Sequence, residues 1–174
     1  MNKPAEANMD LYSIDKLMHE TRQLAAKYRK TTGNTLPVTG EISRFDVAKA
    51  LNLQLIDDLT LGYDAIGRDE RKGLRILIKG RVIFEDSRSS PRIGQIKSDG
   101  RWDSVIMVLF DDDYLPVEMH EATSDDIEAA LSTKSGSANK KRGAMSVAQF
   151  KIIGRLVWSR EDGLSPEIWD NHNH

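Results

Sequence analysis

The chain has no cysteine among its 174 residues. Disulfide staples and thiolate-bound metals are therefore excluded, and the lack suits a reducing compartment. Long apolar runs are missing as well. The strongest, Val105 to Phe110, is too short to span a bilayer. The opening MNKPAEANMD lacks the apolar stretch of a signal peptide. Together these absences predict a cytoplasmic protein. No Walker glycine loop, dinucleotide fingerprint or Ser-His-Asp spacing is found.

What remains is ordinary for a globular chain: 39% hydrophobic and 30% charged residues. The length suits one domain that buries a real core. The net charge of −2 argues against a general nucleic-acid binder, but its distribution is uneven. Residues 68–101 carry ten Lys/Arg against five acids, and residues 134–160 carry seven Lys/Arg and no acid. Such segregation can give an acidic protein a positive face. Solvated loops beside acidic helices are the plainer reading.

Apolar spacing predicts a first helix over residues 11–30, through Leu11, Ile14, Leu17, Met18, Leu24, Ala25 and Tyr28, stopped by Gly33. A second runs over 41–51, capped by Thr39 or Gly40. Residues 59–66 and 74–84 read as a strand hairpin turning at 67–73. Residues 85–101 form a long polar connection of the kind that is more often functional than idle. Residues 102–110 read as a buried central strand and 114–122 as a half-exposed one, joined by a turn at Asp111, Asp112 and Asp113. Ser124 is expected to cap a short helix to Leu131, residues 133–143 to form a flexible basic loop, and Ser146 to cap a helix reaching Trp158. His19 and His120 read as surface residues. The layout is a tail over 1–9, one domain over 10–160 and a second tail over 161–174. The fold class is α/β (α+β), a mixed central sheet flanked by helices.

One constellation carries chemistry. Metal-dependent phosphodiester cleavage needs carboxylates to hold a divalent cation, and it gains from a lysine beside the attacked phosphate. A strand hairpin builds this compactly, because residues i and i+2 of a strand share a face. Here Asp64 lies in Gly62-Tyr63-Asp64-Ala65-Ile66, Lys79 lies in Ile78-Lys79-Gly80-Arg81, and Glu41 follows Thr39-Gly40 at the start of a helix. A lysine among Ile76, Leu77, Ile78 and Val82 is unusual for a buried strand. Asp64 alone reads equally as a turn acid, and Glu41 as an acid favoured by the helix dipole.

These three stretches resemble the PD-(D/E)XK nuclease superfamily, and within it small restriction-endonuclease-like domains with a TGE, GYDA and (Q/E)IKGR signature. The match runs over residues 36–84. The resemblance implies a restriction-endonuclease-like sheet, a DNA substrate, Mg²⁺ or Mn²⁺ as cofactor, and a homodimer as a common assembly. It makes Asp64 a metal ligand and catalytic residue, Lys79 the catalytic lysine, and Glu41 an acid assisting the metal. Arg81, Arg88, Arg92, Lys97 and Arg101, with Lys140, Lys141 and Arg142, would then track the DNA backbone. Two positions depart from the pattern. Leu77 stands where the family has an acid or amide, and Arg44 stands one turn after Glu41, where a glutamate is common. A second expectation follows: a catalytically inactive nuclease-fold module that binds DNA or a protein partner. A third is an interaction protein whose basic segments meet acidic partners.

Overall fold

The computed structural model describes residues 5–97, 99–132 and 144–165. Two helices open the chain, α1 (Ala5–Thr32) and α2 (Thr39–Leu51). Two short strands follow, β1 (Gln54–Leu55) and β2 (Ala65–Ile66), and then the long β3 (Arg75–Val82). The remaining elements are β4 (Arg92–Gln95), β5 (Ser104–Phe110), β6 (Pro116–Thr123), α3 (Ser124–Ser132), β7 (Ala144–Ser146), α4 (Val147–Ile153), β8 (Arg155–Ser159) and β9 (Gly163–Leu164). Seven strands form one mixed sheet in the order β1-β2-β3-β5-β6-β8-β9, and β4 and β7 pair separately. Only β3 and β5 run parallel, and the other neighbours are antiparallel. This is the mixed α/β architecture that the order of elements predicts.

The sheet separates two cores. Ile76, Ile78 and Val82 of β3 join Ile106, Val108 and Phe110 of β5 against Ile42 and Val47 of α2. Val105, Met107 and Leu109 turn the other way, toward Ile93, Ile96, Ile127, Met145 and Phe150. Every residue of β5 is buried. A strand covered on both faces reads as a continuous apolar run, so its central place was legible. Gly80 sets the distance between β3 and α2. A Cβ there would collide with the Ser43 hydroxyl, so this glycine of the IKGR stretch lets the helix lie directly on the strand.

Several local expectations fail for identifiable reasons. α1 starts at Ala5, inside the segment read as a tail. Its burial comes from Arg22, Ala25 and Ala26, whereas Leu17 and Leu24 are 56% and 61% exposed. Neither Thr39 nor Gly40 caps α2: the helix already begins at Thr39, and Val38 precedes it without a side-chain cap. The strand expected over 59–66 shrinks to β2, because Asp58 accepts from the Thr60 amide and starts a 3₁₀ turn over Leu59–Leu61. Gly62, at φ 86°, ends that turn in a conformation that suits glycine. The 85–101 connection contains β4. Thr123, not Ser124, caps α3: its hydroxyl accepts from the Asp126 amide, and the Asp126 carboxylate accepts from the Thr123 amide. Ser146 does cap α4, accepting from the Gln149 amide, but Gly154 ends the helix and 155–159 is strand. His120 is buried, not superficial. β9 falls within the stretch read as a second tail. The basic loop expected at 133–143 lies outside the described residues.

Candidate functional site

Asp64 is positioned by the short hairpin. Its amide donates to the Ile76 carbonyl (2.8 Å), and its carboxylate accepts from the Ile78 amide (2.7 Å). The other carboxylate oxygen lies 3.4 Å from Arg44 Nε, although that nitrogen makes no hydrogen bond. Arg44 sits one turn after Glu41 on α2. Its Nη1 is 3.6 Å from the Glu41 carboxylate, and its Nη2 donates to the Ile56 carbonyl (2.7 Å). Lys79 belongs to the face of β3 that carries Leu77, since Ile76 and Ile78 turn toward α2. Its charge nevertheless acts on Asp64, as do those of Arg44 and Glu41. Arg44 therefore lies between Asp64 and Glu41. Glu41 and Asp64 thus share Arg44 as a neighbour, whereas Lys79 lies on the face of β3 turned away from α2.

The electrostatics of this group are unsettled. Burial raises the Asp64 pKa above the ordinary carboxylate value. The Ile78 amide, Arg44 and Lys79 all oppose that rise, and Glu41 adds to it. Desolvation wins because the Arg44 contact is long and not hydrogen-bonded. Lys79 makes no ion pair within 4 Å among the described residues.

These side chains do not fit a divalent cation. Mg²⁺ wants about six oxygen ligands, with carboxylates among them. Here two carboxylates are available, the Glu41 side chain is 66% exposed, and Leu77 supplies no donor. Among the described residues, no group of three or more His, Cys, Asp and Glu side chains could hold a metal. The Arg44 guanidinium already bridges the two acids that a cation would bridge. The arrangement can exchange the Asp64–Arg44 contact for a contact to phosphate.

The backbone-tracking residues divide. Arg81 and Arg92 line one cleft with Ser87, Ser89, Ser90 and Pro91, and the Arg81 Nε donates to the Arg92 carbonyl. Arg88, Arg92 and Lys97 are exposed. Arg101 instead lies over Gly62, near the Asp99 carboxylate and the Thr60 carbonyl. Lys140, Lys141 and Arg142 lie outside the described residues. Much of the charge segregated along the chain is neutralised in space. Arg71 and Arg155 meet Glu121, Arg75 meets Asp103, Lys151 meets Glu118, and Arg160 meets Asp111. Charge counted along the sequence therefore overstates the positive face.

Sequence reasoning missed Arg44 as a member of the site. Arg44 was signalled by its place one turn after Glu41. Tyr114 was expected to open a half-exposed strand, but it adopts φ 59° in the turn before β6 and is fully buried. No helix among the described residues is long and apolar enough to cross a membrane. No family model matches the chain, and no curated protein matches its sequence.

Proposed function

We propose that this chain is a PD-(D/E)XK-like module that binds the phosphate backbone of DNA without cleaving it, in the cytoplasm. One observation carries this reading: the Arg44 guanidinium lies between Glu41 and Asp64, where cleavage would need a cation. An arginine there forfeits metal and supplies a fixed positive charge. Arg44 and Lys79 would receive a phosphate, with Arg81, Arg92 and Lys97 beyond them. Asp64 keeps Arg44 aligned in the free protein. Leu77 supports the same conclusion, because the position two before Lys79 has no ligand atom. Hydrolysis with Mg²⁺ or Mn²⁺ held by Asp64 and Glu41 is the reading displaced. The exposed Leu17 and Leu24 of α1 suit a second copy of the chain as partner, which sedimentation velocity would detect.

Labelled duplex DNA and supercoiled plasmid test the proposal together. The expected result is a salt-dependent mobility shift with no nicking in Mg²⁺ or Mn²⁺. Arg44→Gln and Lys79→Ala should each weaken binding and lower the salt slope by about one. Nicking that disappears in Asp64→Ala and Lys79→Ala would establish an active nuclease instead. Absence of binding at about 50 mM salt would leave a protein-interaction role.

A further inference from the structure

α1 is longer than the surface it rests on. Its inward side is formed by Arg22, Ala25 and Ala26, whereas residues 13–20 are exposed apart from the half-buried Met18. Over that stretch an ion pair between Asp15 and Lys49 (2.9 Å) ties the helix to α2. Roughly a third of a turn round from the inward side, an apolar stripe of Ile14, Leu17, Leu24 and Tyr28 is exposed. With Thr21 between the leucines, these residues follow one another in steps of three and four. That spacing is the one by which two helices interlock side chains. Thr21 does not interrupt the seam. Its hydroxyl already donates to the Leu17 carbonyl (2.7 Å), so covering it strands no donor.

We propose that this stripe is the contact by which two copies of the chain associate, with their α1 helices antiparallel. The proposal rests on the second-copy reading given above and is independent of DNA binding. Charge selects both the occupant and the direction. Glu20 and Lys27 lie seven residues apart on one margin of the stripe. Among the described residues Glu20 reaches only Lys16, at 4.0 Å, and Lys27 makes no ion pair. A two-fold axis between residues 22 and 23 sets Leu17 against Tyr28 of the copy and Leu24 against its Thr21. The same operation brings each Glu20 within about half a turn of the other copy's Lys27. A long side chain spans that offset, and symmetry makes the pair twice.

Other occupants fit less well. A parallel pair would stack Thr21 on Thr21 and set Glu20 and Lys27 opposite Ala25 and Thr32, which carry no charge. An anionic lipid surface selects Lys/Arg beside the apolar face and would meet Glu20 there. The seam is short, at the low end of specific interfaces, about 1,200 Å² or less in total. The dimer is therefore weak and reversible.

Sedimentation velocity on the full chain between roughly 1 and 100 μM tests the proposal. The expected result is a monomer–dimer equilibrium within that range. Leu24→Glu should abolish it and leave the melting temperature level, because the residue is exposed in the single chain. Glu20→Lys and Lys27→Glu should each weaken association roughly tenfold, since each turns two attractive pairs into like-charge pairs. The double variant should restore it, with the signs exchanged. A dimer that survives Leu24→Glu, or that the double variant does not rescue, overturns the antiparallel seam while leaving a second copy as partner. A chain that stays monomeric throughout overturns the seam and the second-copy reading together. Flotation with phosphatidylserine-containing vesicles then reassigns the stripe. Vesicle binding that Leu24→Glu removes makes it a lipid contact, and no vesicle binding leaves it to a different protein.

Discussion

Two buried arginine–aspartate pairs hold α2 in place, and they are built differently. Arg22 of α1 meets Asp46 through two hydrogen bonds of 2.7 and 2.9 Å, and it also donates to the Tyr114 carbonyl (2.7 Å). Both side chains of that pair are 9% exposed. Arg44 meets Asp64 at 3.4 Å with no hydrogen bond, in similar burial of 16% and 15%. The difference in geometry separates two roles. The first pair is saturated and repays the desolvation of its charges only by being complete. The second is unsaturated, so either member could take a new partner without losing a good bond. Incomplete satisfaction of a buried charge is a better mark of a binding site here than burial itself.

The sharpest way to break that contrast is to truncate the saturated pair. Arg22→Ala or Asp46→Ala should destabilise the fold by about 3–5 kcal/mol, because each leaves an uncompensated buried charge. Urea denaturation measures it, and a loss below that of the unsaturated pair would remove the distinction. Next in size is Gly80→Ala, which pushes a methyl group into Ser43 and should cost about 1–3 kcal/mol through overpacking. Adding Ser43→Gly should recover part of that loss.

Arg44→Gln should cost about 1–2 kcal/mol, since it removes the hydrogen bond to the Ile56 carbonyl while no good hydrogen bond to Asp64 is lost. It should raise the Asp64 pKa further, which NMR titration of the carboxylate can follow. The smallest effect is the pH dependence of Asp64. Its pKa is raised in the folded chain above an ordinary value of 3.8, so between the two values the native state holds more protons than the unfolded state. Wild-type stability therefore falls with rising pH across that window and then levels. The Asp64→Asn variant lacks this fall, and its stability relative to wild type should climb through the same window and reach a plateau. A relative stability that drops with pH would mean that Asp64 is favoured in its charged form.

The parts of the fold that were legible follow one rule. Where both faces of an element are buried, as in β5, composition alone declares it. Where a single face is buried, periodicity found the element but not always its inner side. The stripe of α1 through Leu17 and Leu24 marks a helix, yet the helix turns Ala25, Ala26 and Arg22 inward. Small residues let α1 approach closely, and the Arg22–Asp46 pair fixes its rotation. Neither effect is visible in apolar spacing. The helix read from Ser146 to Trp158 shows a related failure. Val157 fits a helical stripe, but Gly154 breaks the helix and β6 offers β8 a partner strand.

In the candidate site, the sequence indicated that Asp64 would lie against the strand that carries Lys79, because a short hairpin leaves few alternatives. It did not reveal that Arg44 would occupy the space between the acids, since that depends on the rotation of α2 over Gly80.

The hydrogen bond from the Ile78 amide to Asp64 has a consequence for how such folds persist. β2 pairs with β3 only through Ala65 and Ile66, so the flank of β3 beyond Ile76 has lost its neighbouring strand. An aspartate side chain fills the first vacant rung of that ladder and shields it from pairing with another chain. Architecture alone therefore gives this acid a place in the fold, and an aspartate at the hairpin is no witness to hydrolysis.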